Sequence, residues 1–362
     1  MFDFDPGEEL TLLVETVRGF AAEELAPRLR EHESARGVSE SARAAARQIG
    51  LAGLELPEKL GGAGQGALAR ALVNEELAAA DPGAALALDP LGPALYALSE
   101  CGGEETLREL ALPLLAQPGA RAVLLAPGDA SLRVEGARVS GRAAWVPSDR
   151  VDLLVALEPD GALAVQSGFE LCALRGAGLR AAGASEIALD LAPIVARWPE
   201  VADAASRALA RARLYVAALL VGTLRHAAEF SRAYAENRVA FGRPIAHHQA
   251  LAFLITDMRM AVDGARLLLH EAAWRADQGL PFASEAAAAF AEATLASRFV
   301  GPSGVQILGG HGFMQDYPME KGMRESRALG LLLGGLDAAR EEAGLALCAE
   351  RPPFALSTGE RG

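Results

Sequence analysis

Residues 238–249 read Arg238-Val239-Ala240-Phe241-Gly242-Arg243-Pro244-Ile245-Ala246-His247-His248-Gln249, a polar and aromatic break with Gly and Pro between two long stretches of helical period. Upstream, Ala202 to Asn237 repeats its apolar residues at three and four. Downstream, Ala246 to Gln278, Ala283 to Leu308 and Met323 to Ala349 do the same. Such segments on short connections predict an antiparallel helical bundle. Moving further out, Arg121 to about Trp198 has a different texture. Its short apolar runs, Ala122 to Leu125, Ala143 to Val146, Val151 to Leu157 and Glu186 to Leu191, are separated by Gly-Asp, Pro-Ser and Pro-Asp-Gly turns, which predicts strands of a small β domain. From Gly7 to about Gly119 the helical period returns, as in Leu10, Leu13, Val14, Val17, Phe20 and Ala21. The chain is read as an α+β multidomain protein: an N-terminal α-helical domain at 1–120, a middle β domain at 121–200 and a C-terminal helical bundle domain at 201–362.

At roughly 150 residues per domain, 362 residues agree with two or three domains. Lys and Arg number 34 against 47 acids, a net charge of −13, which disfavours nucleic acid or an anionic membrane as the main partner. Only Lys59 and Lys321 are lysine, so arginine here reflects coding bias as much as phosphate binding. The three cysteines, Cys101, Cys172 and Cys348, are far apart, with no CxxC and no His at ligand spacing, so no metal site is expected and a reducing cytoplasm fits. Met1 to Leu10 carries Asp3, Asp5, Glu8 and Glu9 where a signal peptide would need basic and then apolar residues. The longest apolar run, Leu214 to Val221, falls short of the ~20 residues that span a bilayer. A cytoplasmic protein without a membrane or nucleic-acid role is expected.

A second motif follows the first: Gln306-Ile307-Leu308-Gly309-Gly310-His311-Gly312-Phe313, then Tyr317-Pro318-Met319-Glu320 and Met323-Arg324. With Arg238 to Ile245 and His248-Gln249 it resembles the paired signatures of the acyl-CoA dehydrogenase family. Leu56 to Gly64 resembles the family's PEEYGG-G loop, Glu75-Glu76 its paired acids, and Ser140-Gly141 with Trp145 its NG-K-WIT strand. The resemblance covers nearly the whole chain. It implies an N-terminal α-helical domain, a middle β-barrel domain and a C-terminal four-helix bundle. It also implies a tetramer in which FAD lies across a subunit interface, each chain cradling one flavin ring and lending contacts to the tail of its neighbour's FAD. The cofactor-binding residues carried over are Arg238, Phe241, His248, Gln249, Gln306, Ile307, Gly309 and Gly310. Their chemistry suits that role: Arg238 offers a charged fork to pyrophosphate, Phe241 a face for stacking, and the glutamines amide donors and acceptors. Gly309 and Gly310 let backbone amides approach closely. Singly, each has an ordinary structural reading: Arg238 a solvated helix end, Phe241 core, the glycines a helix stop.

The departures are as informative. Dehydrogenation of an acyl-CoA needs a carboxylate to take the α-proton while hydride moves to the flavin. In the family this is most often a Glu before Gly-Thr, downstream of an Arg matched here by Arg324. Counting forward reaches Leu332-Leu333-Gly334-Gly335, which puts Leu333 at the Glu position. A minority of members place the base on the first bundle helix, and that register falls on Ala212, next to Arg213, a weak substrate-binding candidate. The loop that should read TEP-AGSD is Leu125-Ala126-Pro127-Gly128-Asp129-Ala130-Ser131, the stretch from it to Ser140 is short by comparison, and Pro147 replaces a hydroxyl residue. Trp145 has two readings, core and flavin contact.

Residues serving this chain's own flavin are lost and those serving a neighbour's FAD tail are kept. This pattern resembles the heteromeric (α2β2) actinobacterial acyl-CoA dehydrogenases, in which a subunit bearing base and flavin pocket pairs with one bearing neither. It implies an FAD-binding oxidoreductase subunit of lipid or steroid catabolism, acting on acyl-CoA only in the complex with its catalytic partner. Two alternatives stay open: a self-sufficient flavoenzyme with a relocated base such as Asp337, and a flavin-free scaffold.

Overall fold

The computed structural model describes residues 7–349. The N-terminal part carries α1 (Gly7–Phe20), α2 (Leu29–Ala35), α3 (Glu40–Gln48), α4 (Ala67–Ala80) and α5 (Pro82–Leu88), then the short turns α6 (Ala94–Ala97), α7 (Gly103–Thr106) and α8 (Leu112–Ala116). Buried residues lie all round α4, as expected of a helix enclosed on every side. Asp81 ends α4 and caps α5, its carboxylate accepting from the Ala84 N–H at 3.2 Å.

The middle part is a curled seven-stranded sheet in the order β1-β4-β5-β7-β3-β2, with β6 beside β7. Its strands are β1 (Ala122–Leu125), β2 (Ala130–Glu135), β3 (Arg138–Val146), β4 (Leu153–Glu158), β5 (Gly161–Val165), β6 (Phe169–Ala173) and β7 (Ser185–Trp198). β1 and β4 run parallel and the other pairs antiparallel. β7 produces the curl by pairing with β3 and β6 over its first half and β5 over its second. Three of the four predicted apolar runs lie wholly in strands, and Val151 to Leu157 enters β4 from Leu153. β2, β5 and β6 are additions: β2 and β6 are largely exposed, and β5 is a run of small buried residues, Gly-Ala-Leu-Ala-Val.

The C-terminal bundle consists of α9 (Ala202–Asn237), α10 (Gln249–Asp277), α11 (Ala283–Leu308) and α13 (Gly335–Ala349), with the shorter α12 (Met319–Leu329) across it. A hairpin, β8 (Val239–Ala240) and β9 (Arg243–Pro244), joins α9 to α10. One expectation is corrected. Met323 to Ala349 is not one helix: the chain breaks at Gly330–Gly334, where Leu333, Gly334 and Gly335 adopt left-handed φ of +57°, +78° and +66°. Among the described residues no helix is long and apolar enough to cross a membrane, and no His/Cys/Asp/Glu cluster could hold a metal.

A buried charged cluster joins the first and last parts. Asp81 takes Lys321 Nζ at 2.7 Å and His32 Nδ1 at 3.2 Å, and Lys321 also meets Glu325 at 2.8 Å. Burial, with the Asp81 charge adding to it, pushes the Glu325 carboxyl up from 4.5 to about 7 against the pull of Lys321. Between those values the folded chain holds a proton that the unfolded chain has released, so raising pH through the window removes stability. The thermal midpoint of the wild type should therefore fall more between pH 5 and pH 8 than that of Glu325→Gln. Equal slopes for the two proteins would show that Glu325 stays ionised in the fold.

Candidate functional site

Two regions carry the sequence-derived candidates, one at each end of the bundle's long first helix. At its C-terminal end α9 stops because Arg238 turns extended, at φ −80° and ψ 119°. Phe241 and Gly242 then form a two-residue hairpin turn with φ of +55° and +79°, a conformation unfavourable for an aromatic residue with a Cβ. The Phe241 ring is 95% exposed and meets only the edge of His248, at 6.0 Å between centroids. His248 braces this turn, its Nε2 3.3 Å from the Ala240 carbonyl oxygen and its Nδ1 3.3 Å from Arg243 Nη2. Arg238 is exposed, and its guanidinium has no acid partner among the described residues.

The second motif lies against the first. Ala235, Ile245, Val305, Ile307 and Leu308 share one apolar cluster, and the Tyr234 hydroxyl lies 2.8 Å from His311 Nδ1. His311 in turn stacks on Tyr317 at 4.9 Å. Gln249 begins α10 and Gln306 stands in the last turn of α11, both exposed. A Cβ on Gly312 would lie 2.3 Å from the Val305 carbonyl oxygen, so that glycine is required by packing. A Cβ on Gly309 or Gly310 would meet nothing within 4 Å. Those two glycines border open space. The Ile307 side chain is buried in the bundle, so a contact from it to a cofactor would come from its main chain. Arg238, Phe241, Gln249, Gln306, Gly309 and Gly310 remain as an exposed set, with a free cation, an aromatic face and unobstructed backbone. They fit an extended anionic group with a flat ring, as the tail of FAD is.

The positions expected for a base lie far from that set. Ala212 is fully buried within α9, and Leu333 is 3% exposed. Leu333 and Leu332 line a cavity of about 50 Å³ with Leu86, Leu124, Val216 and Pro147. A cavity that admits benzene is about 150 Å³, so this one has no room for a tricyclic flavin ring. Asp129 lines it too, and burial lifts its carboxyl above the ordinary value against two backbone N–H groups and Arg213. Arg213 is 2% exposed and ion-pairs with Glu342 of α13, which leaves its Nε buried without a partner. It is thus committed within the chain. Asp337 is exposed in the first turn of α13, and Trp145 is half-buried against the main core. The contacts made by Asp129 and Glu342 had no motif to mark them; only the Pro-Gly-Asp turn signal at Asp129 was legible.

The sequence model described as the C-terminal domain of acyl-CoA dehydrogenases matches residues 202–343, and that of the N-terminal domain matches residues 7–117. The probable acyl-CoA dehydrogenase fadE25 of Mycobacterium leprae is 28% identical, covering 90% of this chain and 92% of its own length. Butyryl-CoA dehydrogenase of Megasphaera elsdenii superposes with a TM-score of 0.82 at 22% identity, covering 96% of this chain and all of its own. PigA with FAD and proline superposes with a TM-score of 0.84 at 20% identity over 96% of this chain and 99% of its own. Two matched domain models and relatives aligned over nearly their full length place the chain in the acyl-CoA dehydrogenase family, the FAD-dependent oxidoreductases of acyl-CoA thioesters.

Proposed function

We propose that this chain is the subunit of a heterotetrameric (α2β2) acyl-CoA dehydrogenase that holds the tail of FAD for a catalytic partner and supplies no base of its own. The observation that carries the reading is the contrast between the two ends of α9. Around Arg238, the side chains of Arg238, Phe241, Gln249 and Gln306 are exposed, whereas at Leu333 the family's base position holds a buried leucine beside a small cavity. When bound, FAD supplies the hydride acceptor for α,β-dehydrogenation. In that setting Arg238 would pair with pyrophosphate, and Phe241 would offer its face to a flat ring. Gln249 and Gln306 would exchange hydrogen bonds with the tail, while the backbone at Gly309 and Gly310 gives it room.

A carboxylate able to take an α-proton must face a reacting carbon, and among the described residues the positions at which the family carries its base hold no acid. Leu333 and Ala212 cannot accept a proton, Asp337 is turned to solvent, and both oxygens of Asp129 accept from backbone N–H groups. The base and the ring pocket are thus assigned to the partner subunit. A cytoplasmic location accords with this role. The thioester would be a fatty acyl or steroid side-chain one.

The isolated chain should fail to reduce a dye acceptor with any acyl-CoA, and Leu333→Glu alone should not restore turnover because the cavity excludes the ring. Steady turnover by either single chain would sink the proposal. Measured on the purified complex, flavin should amount to one FAD per two chains, half the content of a homotetramer.

Loss of a hydrogen bond to a charged group costs about 1.5–3 kcal/mol, and each ~1.4 kcal/mol is tenfold. Titration of FAD into the apo complex should therefore show Arg238→Ala binding roughly ten- to a hundredfold more weakly, with assembly intact. Equal affinities would return Arg238 to an ordinary solvated helix end.

A further inference from the structure

The sequence of Met323 to Ala349 carries a continuous helical period, yet the chain breaks at Gly330–Gly334 and turns back on itself. The turn has backbone hydrogen bonds of its own, Leu332 N–H to the Leu329 carbonyl at 3.2 Å and Gly335 N–H to the Leu332 carbonyl at 3.0 Å, and it also makes one outside its own segment. Leu333 is the costly member of the turn, since a branched side chain at φ +57° is unfavourable and persists only where its surroundings over-determine it. The two glycines that follow tolerate left-handed φ but do not enforce it.

That outside contact comes from a different part of the fold. Asp129, in the turn between β1 and β2, accepts from the Gly334 N–H at 3.1 Å through one carboxylate oxygen. Its other oxygen accepts from its own loop's Ala126 N–H at 2.9 Å. The Pro127 carbonyl oxygen lies alongside, 3.7 Å from where a Gly334 Cβ would stand. A carboxylate with one oxygen on each of two loops joins them as a bracket. Charge-assisted hydrogen bonds of this kind are among the stronger ones. Leu333 is enclosed between the joined loops, beside the cavity that Asp129 also lines.

We propose that Asp129 is a positioning residue that clasps the β1–β2 loop to the 330–335 turn and so holds Leu333 inside the cavity, keeping this chain's own ring pocket shut. The inference rests on the proposed function only in that this chain holds no flavin ring. The clasp concerns the chain alone, without partner or cofactor. Arg213 supports it from the third side: paired with Glu342 and close enough to bias the Asp129 charge, it favours the ionised carboxylate that makes the clasp. If the clasp opens, the two loops separate and the turn is free to continue the helix from α12 into α13.

The test is peptide-level hydrogen exchange on the purified full chain, which needs neither flavin nor partner. In the wild type, the peptides covering 124–130 and 330–336 should exchange slowly. In Asp129→Ala both should speed up together by about tenfold or more, while peptides from α4 and α11 keep their wild-type rates. Unchanged exchange at 330–336 would overturn the clasp, and so would a uniform rise across the chain, which would make Asp129 an ordinary stabilising residue. Asp129→Asn, which keeps the shape and one acceptor oxygen, is the second variant should the Ala form fail to fold. It should exchange at 330–336 at least threefold faster than the wild type, and wild-type rates there would overturn the inference. Either failure leaves the Arg238 titration untouched, so the two proposals fall separately.

Discussion

The burial of α9 is the constraint on which the rest of the structure depends. From Ala210 to Leu224 nearly every side chain is enclosed, because α4, α10 and α11 all pack on this one helix. The approach of α4 is close enough that a Cβ on Gly222 would lie 2.2 Å from the Glu75 carbonyl oxygen. Glu75 is itself fully buried and is held by Arg266 at 2.8 Å and His270 at 2.6 Å, which ties α10 to the same contact. A rod fixed in this way sets the distance between whatever its two ends carry. At 1.5 Å per residue, Ala212 and Asn237 stand roughly 38 Å apart along the axis. The two groups of residues thus stand at well-separated places of the fold, and the half-site reading proposed above assigns them to different cofactors.

That separation explains how one end could be lost and the other kept. When two sites of a chain contribute to different cofactors, substitutions at one leave the other intact. At Leu333 the loss also suits the fold. An ionised carboxylate buried there would need a partner, whereas a buried leucine contributes about 1.5–3 kcal/mol of apolar burial. At the other end the balance is reversed. Phe241 is held at positive φ with its ring in solvent, and the exposed Arg238 has no acid partner among the described residues.

How much was legible in the sequence follows the same physics. The bundle was readable from its 3.6-residue period, because burial of α9, α10 and α11 imposes that period directly. The exposed set was readable because Arg238, Phe241, Gln249 and the glycines stand in two contiguous motifs whose residues need no distant partner to be recognised. Ile307 sits inside the same motif, but its side chain packs the bundle, which the motif alone does not reveal. β2 was missed although Ala130 to Glu135 alternates apolar and polar; β6 is a short exposed edge, and β5 is made of small residues without β-branched character until Val165. The break at Gly330–Gly334 had a local signal in Gly330 and Gly334-Gly335 that the helical reading passed over, whereas the contact from Asp129, 205 residues earlier in the chain, had none. Local pattern cannot report a hydrogen bond of that separation.

The exposed turn at Phe241 bears on the proposed half-site more directly than the base positions do. Backbone strain survives where neighbouring contacts compensate it, and among the described residues the ring contact of Phe241 is an edge-on one with His248. The His248 brace fixes the direction of the ring without burying it. The turn leaves an aromatic ring in solvent beside an exposed guanidinium, and the surroundings of Gly309 and Gly310 are open. In a family whose cofactor is FAD, such groups have the chemistry to hold an extended anionic tail, which is the role proposed above for them.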